Sequence, residues 1–186
     1  MTRIVAGRLG GRRLDAPPGR GTRPTSDRVR EALFSSLGSL TELAGARFAD
    51  LYAGSGAVGL EAYSRGAEQV LLVESDQKAA RAARANIAAL GAGGAVTLVR
   101  SAVSTALASD PLDPYDIVFA DPPYTVGDHQ LVAVQQALLA GPWLAPGAVV
   151  VFERASRGGP LPWVDPIKAL RERRYGETTL WYGQRS

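Results

Sequence analysis

FADLYAGSGAVGLEAYSRGAEQVLLVESD, residues 48–76, is the stretch that decides the fold. At its centre GSGAVG (54–59) is a G-x-G-x-x-G turn, and Glu74 lies 20 positions beyond Gly54. Apolar runs on either side, RFADLY at 47–52 and QVLLVE at 69–74, predict a strand, a tight turn, a helix and a second strand. Glycine at such a turn lets backbone N–H groups approach a ligand closely and accepts positive φ. The spacing to Glu74 is the one a dinucleotide site asks for. The turn therefore announces a ribose-bearing ligand, with Glu74 accepting from its hydroxyls, and leaves open which ligand that is.

Outward from this unit the pattern repeats. Further strands are expected at 95–100 (AVTLVR), 115–120 (YDIVFA) and 147–153 (GAVVVFE), with helices at 56–65, 76–90, 101–109 and 128–140. The strands are short continuous apolar runs, as expected when both faces of a sheet are covered. Alternating βα units with right-handed crossovers predict an α/β, Rossmann-like, mainly parallel doubly wound sheet. ALRERRYGETTLWYGQ then reads as an antiparallel hairpin turning at Gly176 on the sheet edge. Ahead of the sheet, residues 3–16 suggest a β-hairpin turning on Gly10-Gly11, and 17–24 (PPGRGTRP) an extended, mobile loop. TSDRVREALFSSL predicts a helix from 25 to 37, capped by Thr25 or Ser26. The expected division is a basic extension over 1–24 and a ligand-binding α/β domain over 25–186.

The composition narrows the class. A chain of 186 residues that is 46 % hydrophobic and 21 % charged is an ordinary globular domain with room for a core. Without cysteine, disulfides, thiolate metal sites and cysteine nucleophiles are excluded, and a lone histidine, His129, leaves no histidine metal cluster. No metal is expected. Neither a signal-peptide core nor an apolar run near 18 residues stands in the sequence, so the expectation is a cytoplasmic protein without a membrane partner. Net charge is +3, yet residues 1–30 hold eight arginines against Asp15 and Asp27. A basic arm on a body of net −3 suggests a polyanion, with Arg3, Arg8, Arg12, Arg13, Arg20 and Arg23 as phosphate contacts. A merely solvated basic tail is the plainer alternative. Trp143, Trp163 and Trp181 read as packing residues.

Two residues outside the glycine turn bear on the ligand. Asp50, four positions before Gly54, would repel a pyrophosphate and suits a ligand with an ammonium group. DPPY, at 121–124, follows the fourth strand of the βα series directly, and hydride transfer has no evident need for it. S-adenosylmethionine, with an ammonium, a sulfonium and a ribose, meets these demands better than a nicotinamide dinucleotide.

DLYAGSG, VESD and DPPY in this order resemble class I S-adenosylmethionine-dependent methyltransferases acting on exocyclic amines. RIVAGRLGGRRL followed by TRPTSDRVREALFSSL narrows the resemblance to the RsmD family, which methylates the N2 amine of a guanine in bacterial 16S rRNA. The likeness spans residues 3 to about 153. It implies a cofactor site of Asp50, Ala53, Gly54, Ser55, Gly56, Glu74 and Ser75, and a helix over the cofactor with Thr25, Asp27 and Arg30 near its methionine end. Simple helix capping is the alternative for Thr25 and Asp27. Where relatives carry an acid after the third strand, this chain has Ser101, so an adenine contact there falls to the backbone at Ser101-Ala102. The implied substrate is a partly or fully assembled small ribosomal subunit, and the implied state a monomer. Adenine N6 and protein glutamine N5 remain alternative acceptors, because DPPY serves them too. A nicotinamide oxidoreductase and a non-catalytic RNA-binding module are the more distant alternatives.

The chemistry of DPPY follows from the acceptor. An aromatic exocyclic amine is a weak nucleophile, its lone pair being drawn into the ring. The Asp121 carboxylate and the Pro122 carbonyl, pulling on its hydrogens, would favour sp³ nitrogen and stabilise the positive charge that grows there. Pro122 and Pro123 stiffen the loop, and Tyr124 is placed to stack on a flipped base.

Overall fold

A computed structural model describes residues 2–17 and 26–186. Most of the loop expected over 17–24, and with it Arg20, Arg23 and Thr25, lies outside the described residues. The chain runs β1 (Thr2–Arg3), β2 (Arg13–Leu14), α1 (Asp27–Leu40), β3 (Arg47–Leu51), α2 (Ala57–Ser64), β4 (Gln69–Glu74), α3 (Gln77–Ala89) and β5 (Val96–Arg100). It continues with α4 (Val103–Leu107), β6 (Tyr115–Ala120), α5 (Asp128–Ala140), β7 (Leu144–Ala155), β8 (Ile167–Tyr175) and β9 (Thr178–Arg185). Among the described residues no helix is long and apolar enough to cross a membrane.

Seven strands form one sheet in the order β5-β4-β3-β6-β7-β9-β8. The first five pair in parallel, and β9 joins β7 and β8 antiparallel. The doubly wound sheet expected from the sequence is present. The antiparallel closing hairpin lies at the sheet edge as expected. Its second strand, β9, inserts against β7, and its first, β8, becomes the outer edge. Pairing explains this: β9 alternates buried Leu180 and Tyr182 with Trp181, which fits an interior strand, whereas most of β8 is exposed.

Side chains leave the strands to two cores. Phe48, Leu72, Ile117, Val151 and Tyr182 pack toward α1, α2 and α3, while Leu51, Val73, Val118 and Phe152 face α4 and α5. Trp143 is buried and stacks on Tyr115, and Trp163 meets Phe152 edge-on, so both are packing residues. Ser26 caps α1 by accepting from the Val29 N–H at 3.2 Å.

The N-terminal hairpin is real, with Thr2 paired to Leu14 and Arg3 to Arg13. Two successive turns reverse it: the Gly10 N–H donates to the Gly7 carbonyl, and the Arg12 N–H donates to the Leu9 carbonyl across the expected Gly10-Gly11, both at 3.1 Å. The first of these turns has a tertiary cause. Gly7, at φ 82°, presses on α2 so closely that a Cβ there would lie 2.1 Å from the Ser64 carbonyl oxygen. The Arg8 N–H donates to that carbonyl and the Leu9 N–H to Ser64 Oγ, both at 3.0 Å. Below the turn, Ile4 and Leu14 are buried.

One carboxylate fastens this hairpin. Glu61 of α2 is fully buried and accepts from the Val5 and Ala6 N–H groups at 2.8 and 3.0 Å. It also receives Arg30 Nε at 3.2 Å and Arg65 Nε at 2.8 Å. Hairpin, α1 and α2 thus meet on a single side chain. Asn86 of α3 adds a second tie, donating to the carbonyls of Asp15 and Ser55 and accepting from the Asp15 N–H.

Candidate active site

The site sits at the carboxyl ends of β3 and β6, where the strand order reverses, the position at which open α/β sheets bind ligands. Leu51 pairs with Ala120, and the Asp121 N–H reaches the Leu51 carbonyl at 3.4 Å. Parallel pairing therefore brings the glycine turn after β3 and the DPPY turn after β6 together.

Each glycine of the turn has its own task. Gly54 and Gly56 take φ 57° and 85°, a region open to glycine. Gly59 stands in helical backbone, and a Cβ there would meet Leu72 Cδ2 at 2.3 Å, so this glycine serves close helix–sheet packing. Tyr52 is the one described non-glycine residue with positive φ, at 62°. Such a conformation costs free energy and collects at functional turns. Tyr52 lines the cleft, and no sequence motif marks its left-handed backbone.

That cleft, of about 370 Å³, lies between the ends of β3, β4 and β5 and the flank of α5. Tyr52, Glu74, Ser75, Ser101, Ala102 and Pro123 stand on its wall, with Val103, Gln130 and Val134. The volume is in the range of small-molecule sites. Glu74, Ser75, Ser101 and Ala102 are thus brought together on one cleft wall. Val103, Gln130 and Val134 were not foreseen, because helix residues facing a cleft carry no motif.

Glu74 is tied at both oxygens. One accepts from the Gly54 N–H at 2.8 Å and the other from the Asp76 N–H at 2.7 Å. Each carboxylate oxygen retains a further lone pair, and the group faces the cleft from a half-buried position. Asp50 behaves differently. It is buried beneath the turn, accepts from the Gly59 N–H at 2.9 Å and lies outside the cleft lining. Burial pushes its carboxyl up to about 8, against the Gly59 N–H, which lowers it; the charges of Glu74 and Glu153 raise it further. Ser55 is buried, and the Ala53 N–H donates to the Val73 carbonyl at 2.9 Å.

Asp27 and Arg30 are occupied by the protein itself. Arg30, fully buried, pairs with Glu61 and with Asp27 at 2.8 Å and donates to the Arg3 carbonyl. Both residues thus serve the junction of α1, α2 and the hairpin in this structure.

In DPPY, Asp121 is half-buried, Pro122 buried and Tyr124 about half exposed at 49 %. A small notch of about 80 Å³ lies behind Tyr124, closed on its far side by Arg154, Arg157 and Gly158. These arginines were not singled out by sequence, since they belong to no motif. The described N-terminal arginines, Arg3, Arg8, Arg12 and Arg13, are all exposed. Arg8 lies 4.2 Å over the Tyr63 ring and Arg12 donates to the Ala89 carbonyl at 2.7 Å. Both contacts fall at the C-terminal ends of α2 and α3, away from the cleft. Among the described residues no group of His, Cys, Asp and Glu is arranged to hold a metal.

A strand order with a switch point at β3/β6, a glycine turn, an acid ending β4 and DPPY after β6 define the class I methyltransferase architecture. Comparison with known proteins narrows this. The family described as "Conserved hypothetical protein 95" matches residues 2–184, and the chain belongs to it. Its relative in Escherichia coli, ribosomal RNA small subunit methyltransferase D, is 38 % identical over 184 residues, covering 98 % of this chain and 89 % of that protein. The solved structure of the E. coli protein yhhF is 38 % identical with a TM-score of 0.86, covering 100 % of this chain and 98 % of that one. An RNA methyltransferase from Salinibacter ruber, solved in complex with S-adenosyl-L-homocysteine, shares the fold at 20 % identity, with a TM-score of 0.64 over 88 % of this chain and 94 % of that one.

Proposed function

We propose that this protein is a ribosomal RNA methyltransferase that transfers a methyl group from S-adenosylmethionine to the N2 amine of a guanine in 16S rRNA. The rRNA and the methyl transfer are supported by the relatives' names at 33–38 % identity over nearly the whole chain. The cofactor and the guanine rest on chemistry. The observation that carries the reading is the adjacency of the two turns, with Asp121 bonded to the Leu51 carbonyl at the rim of a cleft that holds Glu74 and Ser101.

The residues present fit the cofactor. Glu74, fixed by two N–H groups, retains lone pairs for ribose hydroxyls. Val103 and Val134 offer apolar walls to an adenine, and Ser101-Ala102 offer backbone groups to its edge. Asp50 serves this site indirectly, by holding the Gly59 N–H and so the helix behind the turn. S-adenosylmethionine supplies an electrophilic methyl group on a sulfonium. Asp121 and the Pro122 carbonyl accept the amine's hydrogens, aim its lone pair and offset the charge that develops on nitrogen. Asp121 takes the proton. Tyr124, exposed on the rim, stacks on the base once it has left its helix. Thr25, Asp27 and Arg30 are proposed to act through the position of α1 rather than by contact. Arg3, Arg8, Arg12 and Arg13 contact RNA phosphates from the N-terminal hairpin, and Arg20 and Arg23 are added to them from sequence alone. The substrate is the partly or fully assembled small subunit, bound by a monomer.

Asp121→Ala is the direct test. Methyl transfer should fall by roughly 10²–10³ or more, the scale seen for loss of a positioned charge-stabilising group. S-adenosylmethionine affinity, read by calorimetry, should stay within about threefold, because Asp121 binds the acceptor. Undiminished turnover would remove Asp121 from the reaction.

A further inference from the structure

The charge of the body is not uniform. Residues 31–153 hold six basic and 13 acidic side chains, whereas residues 154–186 hold seven basic and three acidic. The C-terminal 33 residues therefore form a second basic region of net +4, comparable to the N-terminal arm.

Strand register shows where part of it lies. Arg154 of β7 pairs with Thr179 of β9, which pairs with Arg174 of β8, so the two arginines stand in one row on one face. Thr178, at the start of β9, pairs with Ala155 of β7 and Tyr175 of β8. The row thus lies at the carboxyl end of the sheet, the end that carries DPPY. Arg8 and Arg12 lie at the opposite end.

The turn after β7 is locked against the β8–β9 turn. The Ser156 N–H donates to the Glu177 carbonyl at 2.8 Å, and Ser156 Oγ donates to the Gly176 carbonyl at 3.0 Å. Arg154 braces the same turn by donating to the Pro160 carbonyl at 3.3 Å and to Asp128 at 2.9 Å. A Cβ on Gly158 would lie 2.8 Å from the Arg154 guanidinium, so the turn closes tightly over it. Two exposed arginines emerge from this rigid base: Arg157, on the wall of the notch behind Tyr124, and Arg174, whose Nε donates to the Gly176 carbonyl.

We propose that Arg157 and Arg174, braced by Arg154, form a second phosphate-binding surface that seats the RNA backbone beside the nucleotide entering the DPPY site. This rests on the reading of the protein as an RNA methyltransferase. Glu177 on the same turn and Asp128 beside Arg154 temper the charge, so the surface is a local backbone clamp within a mixed field. Its task differs from that of the N-terminal arm. A flipped base is held only if the strand on its flank is held, and guanidinium groups at the turn that borders the notch do this without reading sequence.

The test is the double substitution Arg157→Gln with Arg174→Gln, set beside Arg81→Gln with Arg84→Gln, which removes the same charge from the exposed face of α3. The probe is protein-depleted 16S rRNA, with unmodified small-subunit particles in parallel. Wild-type protein must first methylate the particles; failure there defeats the parent reading and not this one. The clamp pair should weaken RNA affinity by roughly tenfold and lower the slope of log affinity against log salt by about 2, while the α3 pair leaves both within experimental spread. KM for particles should rise in step, and unchanged S-adenosylmethionine affinity would show the variant folded. Equal losses in the two pairs, or no loss in the clamp pair, would overturn the proposal. So would a KM defect on particles with undiminished affinity for the RNA alone, which would assign the surface to an acidic protein partner.

Discussion

Asp50 couples the end of β3 to the first turns of α2 through the Gly59 N–H. The sequence marks it as an acid just before the glycine turn, suited to an ammonium group. In the fold it is buried under that turn on the Gly59 N–H, with its carboxyl raised to about 8. A carboxyl whose folded value lies above its unfolded value of about 3.9 binds a proton more tightly in the native state. Its contribution is complete below pH 4 and is lost as pH rises toward and through 8. Asp50→Asn, which keeps the shape without the titration, should therefore gain on wild type as pH increases. Between pH 5 and 9 the Tm difference should move in the variant's favour by about 4 °C or more, equivalent to roughly 1–2 kcal/mol for a chain of this size. Parallel thermal curves at the two pH values would contradict the assignment. Glu74 was legible because the end of a strand at a fixed spacing has one direction to face. The depth of Asp50 was not, because an apolar run tells nothing of which acid the following helix covers. The left-handed backbone of Tyr52 was equally hidden, since tyrosine gives no local sign of it.

At the level of elements, Glu61 is the piece on which the N-terminal hairpin depends. It joins two hairpin N–H groups to Arg30 and Arg65 in a fully buried position. Removing one partner of a buried pair leaves the other charge unmet, at a cost of about 3–5 kcal/mol. Glu61→Ala should lower unfolding free energy in urea by that amount, and amide exchange at Val5 and Ala6 should accelerate well beyond that of the β3 core. Protection of those two amides equal to wild type would show that the hairpin docks without Glu61. Strands β4 and β6 and helix α5 match the sequence reading to the residue, because their apolar pattern and their flanking turns agree. The Gly10-Gly11 turn was legible, but the turn before it was not, because the close contact of Gly7 with Ser64 decides it, and that contact spans over fifty residues. The insertion of β9 between β7 and β8 was hidden for a similar reason. Two adjacent strands announce a hairpin, but which of them meets the sheet depends on the partner strand.

Across the whole molecule, chemistry gathers at one end of the sheet. The glycine turn, Glu74, Ser101 and DPPY meet there because β3 and β6 are neighbours, an adjacency their order in sequence does not disclose. The motifs could be read one by one; their meeting in space came from topology. Charge follows the same lesson, since the arm stood out in the sequence while the C-terminal basic region was masked by the acids between. The proposed reaction is methyl transfer to one amine of small-subunit RNA. Its most direct measurement supplies S-adenosylmethionine with a labelled methyl group and small-subunit particles lacking the modification, then maps the labelled nucleotide by mass spectrometry. The expected result is a single labelled guanine carrying the methyl group on N2. Label on adenine N6, on a protein glutamine, or on no component of the particle would contradict it.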